Sequence, residues 1–196
     1  MSQNELHVIF GTGALGKWTA RELVRLGKPV RMVSHSGKAD ARIPAEVETV
    51  KGDAYDFTRN LEVTKGANAV YQCAQPLYHE WAEKFPPMQK AILDAVVANG
   101  AKFIVGDNLY MYGDTNGQPI REDLPYQPHT KKGKVRAEMA NAVMDAHRSG
   151  RIRAAIGRAS NFFGPDDGAV TSYAIRPALA GKAVNLLGRT DQPHTF

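Results

Sequence analysis

One turn near the start of the chain constrains its fold more than any other feature. The mostly apolar segment Leu6–Phe10 runs directly into a glycine-rich hexapeptide, and a segment with helical spacing follows. A G-x-G-x-x-G match indicates a dinucleotide site only in this context, with a strand before it and a helix after it. The sequence therefore predicts a phosphate-binding turn formed by Gly11, Thr12, Gly13, Ala14, Leu15 and Gly16.

The glycines of this turn have separate tasks. Gly11 permits the tight turn, Gly13 lets the backbone approach a pyrophosphate, and Gly16 lets the helix pack closely on the strand. The unpaired amides at the helix start face the phosphate. The alternative is a glycine-rich turn that binds nothing.

Apolar runs alternate with longer amphipathic segments along the whole chain. Three helices are predicted: one from Leu15 to Leu26 that stops at Gly27, one containing Trp81 to Val96 before Gly100, and one from Lys131 to Arg148. The runs that predict strands are Leu6–Phe10, Val30–Val33, Val47–Val50, Ala69–Cys73, Phe103–Val105, Arg153–Gly157 and Val184–Leu187.

Continuous apolar strands between amphipathic helices indicate a parallel sheet that is covered on both sides. We predict an α/β fold of the Rossmann type, a doubly wound parallel sheet with helices on both faces, in a single domain over residues 1–196. The Pro- and Gly-containing stretch Gly113–Pro128 is predicted to be an irregular excursion above the sheet.

Composition narrows the function classes. The 196 residues are 43% hydrophobic and contain no apolar stretch long enough to span a bilayer, and the polar N-terminus lacks the features of a secretory signal, so we expect a cytoplasmic protein. Cys73 is the only cysteine, and the six histidines lack ligand spacing, so no metal site is predicted. The basic run around Lys131–Arg136 lacks interleaved aromatic residues; we interpret it as a solvated face and expect no nucleic-acid partner.

The end of the second strand bears on the choice of cofactor. NAD-binding proteins usually carry an acid there that accepts hydrogen bonds from the adenosine ribose. This chain has Ser34, His35 and Ser36, followed by Gly37 and Lys38, and none of them would repel a 2′-phosphate. The sequence favours NADP, with NAD possible, although His35 and Lys38 are also compatible with idle loop residues.

Two further segments supply a family resemblance. Lys51-Gly52-Asp53-Ala54 follows the third strand, and Cys73-Ala74-Gln75-Pro76 follows the fourth. Their order resembles the extended and atypical short-chain dehydrogenase/reductases, including the epimerase/dehydratase and NmrA-like branches. The resemblance implies that Asp53 binds the adenine amine beside Ala54, and that Ala74 and Gln75 line the ribose and phosphates. An ordinary turn aspartate is the alternative for Asp53.

The catalytic segment departs from that family. The loop after Phe103–Val105 leads to a Tyr-Gly pair, and the residue in the place of the family's serine is Asn108. Lys134, followed four residues later by Glu138, resembles the catalytic lysine and its glutamate. The family's tyrosine should stand four residues before that lysine, and that residue is Thr130. A threonine hydroxyl cannot act as the acid, so we predict that Thr130 is a helix N-cap or orients a substrate or water.

Several other groups are candidates for the proton transfer that the missing tyrosine would perform. Lys134 is our first choice, because an oxidised nicotinamide beside it would lower its pKa. Tyr110 and Tyr112 are further candidates, although packing is the more common role for such residues, and the remaining candidates are His129 and His194. Atypical reductases that have a lysine without the tyrosine resemble this arrangement.

The C-terminal part is expected to be incomplete. The segment from Arg158 to Phe196 resembles the start of the family's substrate region, most of which we expect to be missing. Apolar surface near Val184–Leu187 would then be exposed, which favours a homodimer, instability or another covering partner.

Taken together, the motifs favour an NAD(P)-dependent oxidoreductase or epimerase/dehydratase-like enzyme that acts on a small carbonyl or hydroxyl compound. The alternative is a non-catalytic NADP-binding module that senses redox state, which the missing tyrosine and serine favour. The retained spacing of Lys134 and Glu138 favours chemistry.

Overall fold

A single parallel sheet organises the chain. The computed structural model describes residues 5–38, 40–160 and 171–184. The sheet has the order β3-β2-β1-β4-β5-β6, and each neighbouring pair is parallel. Its strands are β1 Leu6–Phe10, β2 Val30–Ser34, β3 Glu48–Lys51, β4 Ala67–Gln72, β5 Lys102–Asp107 and β6 Arg153–Arg158. This order reverses direction between β1 and β4, which is the position where doubly wound sheets bind their ligands.

Within the described residues, five α-helices accompany the strands: α1 Ala14–Arg25, α2 Phe57–Val63, α3 Trp81–Asn99, α4 Lys131–Arg148 and α5 Arg176–Leu179. The three predicted helices are confirmed as α1, α3 and α4. Left-handed Gly27 and Gly100, with φ of 71° and 67°, follow α1 and α3. The sequence did not predict α2, a short helix whose N-cap Asp56 accepts a hydrogen bond from the Arg59 amide at 3.0 Å.

The core lies on both faces of the sheet, as predicted. Alternate residues of a strand point to opposite faces, so Val8 and Ile9 of β1 enter different clusters. Val8 packs with residues of α2, α3 and α4, including the fully buried Ile92 and Val143. Ile9 packs with Ala20 and other residues of α1. Full burial of an aliphatic side chain contributes roughly 1.5–3 kcal/mol.

All strand carboxyl ends meet at one edge of the sheet because the strands are parallel. The turn from β1 to α1, the loops after β3, β4 and β5, and the approach to α4 lie along this edge. The stretch 113–128 contains no helix or strand, which confirms that it is irregular as predicted. The expected strand Val184–Leu187 lies outside the described residues except for Val184. Among the described helices, none has the length and apolar character needed to cross a membrane.

Candidate active site

The glycine turn after β1 fits a bound phosphate chain. Gly11 has a φ of 108°, and a Cβ there would lie 2.7 Å from the Ala74 amide nitrogen. A Cβ on Gly16 would overlap the carbonyl oxygen of Gly11. Gly13 differs, because its φ of −73° suits any residue and no described atom lies within 4 Å of a Cβ built on it. The protein's own packing therefore requires Gly11 and Gly16, whereas Gly13 keeps an open space beside the backbone.

The start of α1 supplies hydrogen-bond donors to this space. The first amides of a helix have no partners within the helix, and the N-cap Gly13 has no side chain to accept from them. The first turn contains no acidic residue that would repel an anion. Together with the helix dipole, these amides form a site for a negative group.

The loop after β2 holds the residues predicted to meet the adenosine ribose. The hydroxyl of Ser34 accepts a hydrogen bond from the Gly37 amide at 3.1 Å, and that of Ser36 accepts one from the Lys38 amide at 3.2 Å. Each hydroxyl keeps its proton to donate. His35 and Lys38 are exposed on the same loop.

An acid in this loop, Asp40, is engaged elsewhere. Hydrogen bonds from Arg42 and then from the nearly buried Lys17, whose Nζ lies 2.9 Å from Oδ2, hold the pKa of Asp40 well below its usual range. The pair between Lys17 and Asp40 ties the loop to α1. The sequence reasoning missed this pair, because nothing in the spacing shows that Lys17 points toward the loop.

The loops after β3 and β4 carry the other predicted cofactor residues. Asp53 accepts a hydrogen bond from the Tyr55 amide at 3.0 Å, which is the geometry of a turn aspartate. The carbonyl of Ala54 accepts one from the buried Asn60 at 2.9 Å. Ala74 lies against Gly11, and Gln75 is exposed beside it. No described contact tests the adenine role of Asp53.

The loop after β5 is shaped by Asn108. Its side-chain oxygen accepts a hydrogen bond from the Tyr110 backbone amide at 3.1 Å. The backbone amide of Asn108 donates to the Asp107 carboxylate at 2.7 Å. The two tyrosines of this loop have different surroundings. Tyr112 is buried against Tyr126, with ring centroids 5.7 Å apart. Tyr110 is 43% exposed and packs on one side against Trp81, with ring centroids 6.1 Å apart, so the expected packing role holds fully for Tyr112 and in part for Tyr110.

A buried ionic cluster supports this loop from below. Arg136 of α4 donates to Asp107 at the end of β5, with Nε at 2.8 Å from Oδ1, and both side chains are 2% exposed. Arg158 of β6 lies 3.9 Å from the other oxygen of Asp107 and donates to the Tyr112 hydroxyl at 2.8 Å. The sequence reasoning missed the cluster. A signal was present, because Arg136 stands at helical spacing from buried Met139, Ala140 and Val143.

A cleft opens where α4 begins. Its volume is about 320 Å³, and it is lined by Tyr78, Tyr110, Thr130, Lys131 and Lys132. The hydroxyl of Thr130 accepts a hydrogen bond from the Gly133 amide at 3.0 Å, which confirms the N-cap prediction. Lys134 lies one helical turn further along α4 and is exposed.

Aromatic side chains and one ammonium group form a wall of this cleft. The Tyr78 hydroxyl donates to the Tyr110 hydroxyl at 3.4 Å, and Lys132 Nζ lies 4.1 Å from the centroid of the Tyr78 ring. Burial is the main cause that raises the pKa of Tyr110 to about 12, and its interaction with the Tyr78 hydroxyl adds to the shift. The sequence reasoning missed Tyr78, because it belongs to no motif. Of the other proton candidates, His129 is exposed and His194 lies outside the described residues.

The sheet order, the glycine turn and the open space at Gly13 define a dinucleotide-binding protein of the Rossmann class. The family described as the NAD dependent epimerase/dehydratase family matches residues 8–196. The chain belongs to this family.

One relative of known activity agrees with this assignment. A UDP-glucose 4-epimerase of Corynebacterium glutamicum is 27% identical over 152 residues, which cover 71% of this chain and 45% of that protein. The chain thus spans less than half of the length of this relative.

Solved structures share the fold. A UDP-N-acetylglucosamine 4-epimerase from Methanobrevibacter ruminantium, in complex with UDP-N-acetylmuramic acid, superposes with a TM-score of 0.80 at 18% identity, covering 97% of this chain and 68% of that one. A dTDP-glucose 4,6-dehydratase from Streptomyces venezuelae, with NAD bound, superposes with a TM-score of 0.76 at 16% identity. The match covers 91% of this chain and 63% of that one.

Proposed function

We propose that this chain binds NADP(H) and oxidises or reduces a hydroxyl or carbonyl group of a small substrate, as an atypical member of its family that works without the usual tyrosine. The observation that carries the proposal is the open space beside Gly13 at the start of α1. The protein's own packing does not require a glycine there, whereas a pyrophosphate does.

A bound nicotinamide would supply the hydride acceptor or donor. The residues of this chain would bind the cofactor and orient the substrate. The amides at the start of α1 bind the pyrophosphate, and Lys134 binds the nicotinamide ribose, as the family resemblance implies. Thr130 lines the cleft, and Asn108 shapes the loop that carries Tyr110 to it. In our proposal these two side chains orient the substrate oxygen.

NADP is favoured over NAD by the loop after β2. The hydroxyls of Ser34 and Ser36 have protons to donate, and His35 and Lys38 are exposed beside them. Asp40 is the acid of this loop that could bind ribose hydroxyls, but it is engaged by Arg42 and Lys17. These donors would form charge-assisted hydrogen bonds with a 2′-phosphate, which are stronger than the neutral hydrogen bonds they could form with a 2′-hydroxyl.

The substrate is proposed only by class. The sugar-nucleotide epimerases and dehydratases among the relatives make sugar nucleotides the first compounds to screen, followed by smaller aldehydes, ketones and alcohols. The place of the tyrosine in the usual epimerisation route is Thr130 in this chain, so we propose only the oxidation or reduction step that epimerases and simple oxidoreductases share.

Calorimetric titration with NADPH and NADH in parallel is the first test. We expect tighter binding of NADPH, and weaker binding of both after Lys134→Ala. Lys90→Ala, an exposed lysine of α3, is the matched control and should bind like the parent. Failure of both nucleotides to bind the parent protein would overturn the cofactor assignment.

Turnover is tested by the change in nicotinamide absorbance with the substrate panel. The expected result is a substrate-dependent change that Lys134→Ala abolishes. Tight nucleotide binding without turnover of any compound, and without an effect of Lys134→Ala on affinity, would instead favour the non-catalytic sensor.

A further inference from the structure

We propose that Tyr78 performs the proton transfer for which the family uses the tyrosine that is Thr130 in this chain; this proposal rests on the proposed function. Tyr78 and Thr130 come from different elements but line the same cleft. A phenol is therefore present beside the place where the family pattern requires one.

Tyr78 is positioned by its neighbours. It begins the 3₁₀ turn Tyr78–Glu80, and its ring meets the edge of the buried Trp81 with centroids 5.0 Å apart. Tyr78 follows Ala74, which lies against Gly11, by four residues, so its Cα lies within about 14 Å of the Cα of Ala74. With 56% of its surface exposed, Tyr78 is accessible to a substrate in the cleft.

The cleft also provides the ammonium group that accompanies the phenol in the family. Lys132 Nζ lies 4.1 Å from the centroid of the Tyr78 ring. A cation over an aromatic ring is attracted by the π electrons, and the attraction increases when the ring carries phenolate charge. Lys132 therefore stabilises the phenolate form of Tyr78, a role that in the usual motif belongs to the lysine one helical turn after the tyrosine. Lys134 remains available to bind the nicotinamide ribose.

Tyr110 is the second partner of Tyr78. Their hydroxyl oxygens are 3.4 Å apart, and Tyr78 is the donor. The pKa of Tyr110 is raised to about 12, mainly by burial, so Tyr110 keeps its proton near neutral pH. When Tyr78 has released its proton, the hydrogen bond reverses, and the hydroxyl of Tyr110 donates to the phenolate oxygen. Tyr110 is a positioning residue in this arrangement.

The proton balance is simple. When an alcohol is oxidised, its C–H bond breaks, and the hydride would pass to a bound nicotinamide. The O–H bond also breaks, its electron pair forms the carbonyl π bond, and the proton passes to the phenolate oxygen of Tyr78. In the reductive direction, the phenol of Tyr78 returns this proton to the carbonyl oxygen. General acid–base catalysis of this kind contributes roughly 100-fold to 10,000-fold.

The first test needs neither cofactor nor substrate. The purified chain is treated with N-acetylimidazole, which acetylates reactive phenols, and the rate at each tyrosine is followed by peptide mass spectrometry. Tyr173 is the internal reference, because its exposure of 51% is close to that of Tyr78. We expect Tyr78 to react roughly threefold to fivefold faster than Tyr173, which is the range that one exposed cation–π contact supports.

Two lysine variants show whether Lys132 is responsible. Lys132→Met should reduce the rate at Tyr78 to that of the reference. Lys131 lines the same cleft, but the ammonium group over the Tyr78 ring belongs to Lys132. Lys131→Met should therefore leave the acetylation rate at Tyr78 nearly unchanged. Equal rates at Tyr78 and Tyr173 in the parent chain, or no effect of Lys132→Met, would overturn the proposal.

The second test uses any compound that the substrate panel shows to be turned over. Tyr78→Phe should lower kcat/KM by roughly 100-fold or more, with NADPH affinity by calorimetry unchanged. Tyr110→Phe should have the smaller effect of a positioning residue. Tyr71→Phe is the control; Tyr71 hydrogen-bonds to His7 at 2.9 Å, away from the cleft, and its variant should retain activity.

Full activity of Tyr78→Phe would also overturn the proposal. If no compound is turned over by the parent chain, the proposed function is what fails, and the acetylation rates alone decide whether Tyr78 is the reactive phenol of the cleft. The two failures are therefore distinguishable.

Discussion

The glycine turn after β1 and the loop after β5 lie at the same edge of the sheet, yet they relate to the family pattern in different ways. In the turn, each glycine stands where the pattern requires it, and the structure supplies a steric or spatial reason for each. Around the loop, Asn108 stands where the family has a serine, and Thr130 stands where the family has its tyrosine. Both of these residues make local hydrogen bonds that shape the backbone.

The difference follows from what each region contributes. A pyrophosphate is bound by backbone amides, and the turn that presents them depends on local glycine positions. Proton transfer needs one side-chain group at one point in space, and any element that reaches this point can supply it. We propose a replacement of this kind, since Tyr78 comes from the segment after β4 and Lys132 from the start of α4.

The largest effect is expected in the glycine turn. Gly16→Ala should prevent accumulation of folded protein, because the added Cβ overlaps the carbonyl oxygen of Gly11. Gly13→Ala should still fold, because no described atom lies within 4 Å of the added Cβ, and its Tm should fall only slightly because alanine is a weaker N-cap than glycine. The same Cβ would enter the space of the pyrophosphate, so NADPH should bind more weakly in calorimetry.

This pair of glycine variants separates a structural glycine from a binding one. Normal folding of Gly16→Ala would show that the helix can move away from the strand. Unchanged NADPH affinity of Gly13→Ala would contradict the place that we assign to the pyrophosphate.

An intermediate effect is expected beneath the loop after β5. Asp107→Ala leaves the buried guanidinium of Arg136 without its carboxylate, and loss of one partner of a buried ion pair costs about 3–5 kcal/mol. Urea unfolding followed by circular dichroism measures this free energy. Asp123→Ala breaks an exposed pair with Arg121 and should cost about 1 kcal/mol or less. Equal losses in the two variants would show that the buried cluster does not stabilise the loop.

The smallest effect is expected at Thr130. Thr130→Ala removes the oxygen that accepts from the Gly133 amide and should lower the free energy of unfolding by about 1 kcal/mol. Thr130→Ser keeps the cap and should be nearly neutral. If Thr130→Ser instead reduced turnover as much as Thr130→Ala, with stability intact, the methyl group of Thr130 would have to contact the substrate.

Much of the fold was predictable because its signals are local. Alternation of apolar runs and amphipathic segments predicted six strands of the sheet, and glycines or an N-cap marked the ends of α1, α3 and α4. Helix α2 was missed, since seven residues are too few for a clear helical period. The glycine site was predictable for the same local reason, because its residues are contiguous.

The chain's sequence by itself determined the strand–turn–helix in which we propose the phosphate site, and the absence of a tyrosine four residues before Lys134. Both depend only on residues close together along the chain. Only the tertiary structure decided which distant side chains share a cleft or a buried cluster, as Tyr78 does with Thr130 and Asp107 does with Arg136. Parallel strands bring their carboxyl ends to one edge whatever the separation along the chain, so the partners that meet there are set by the order of the strands and by packing.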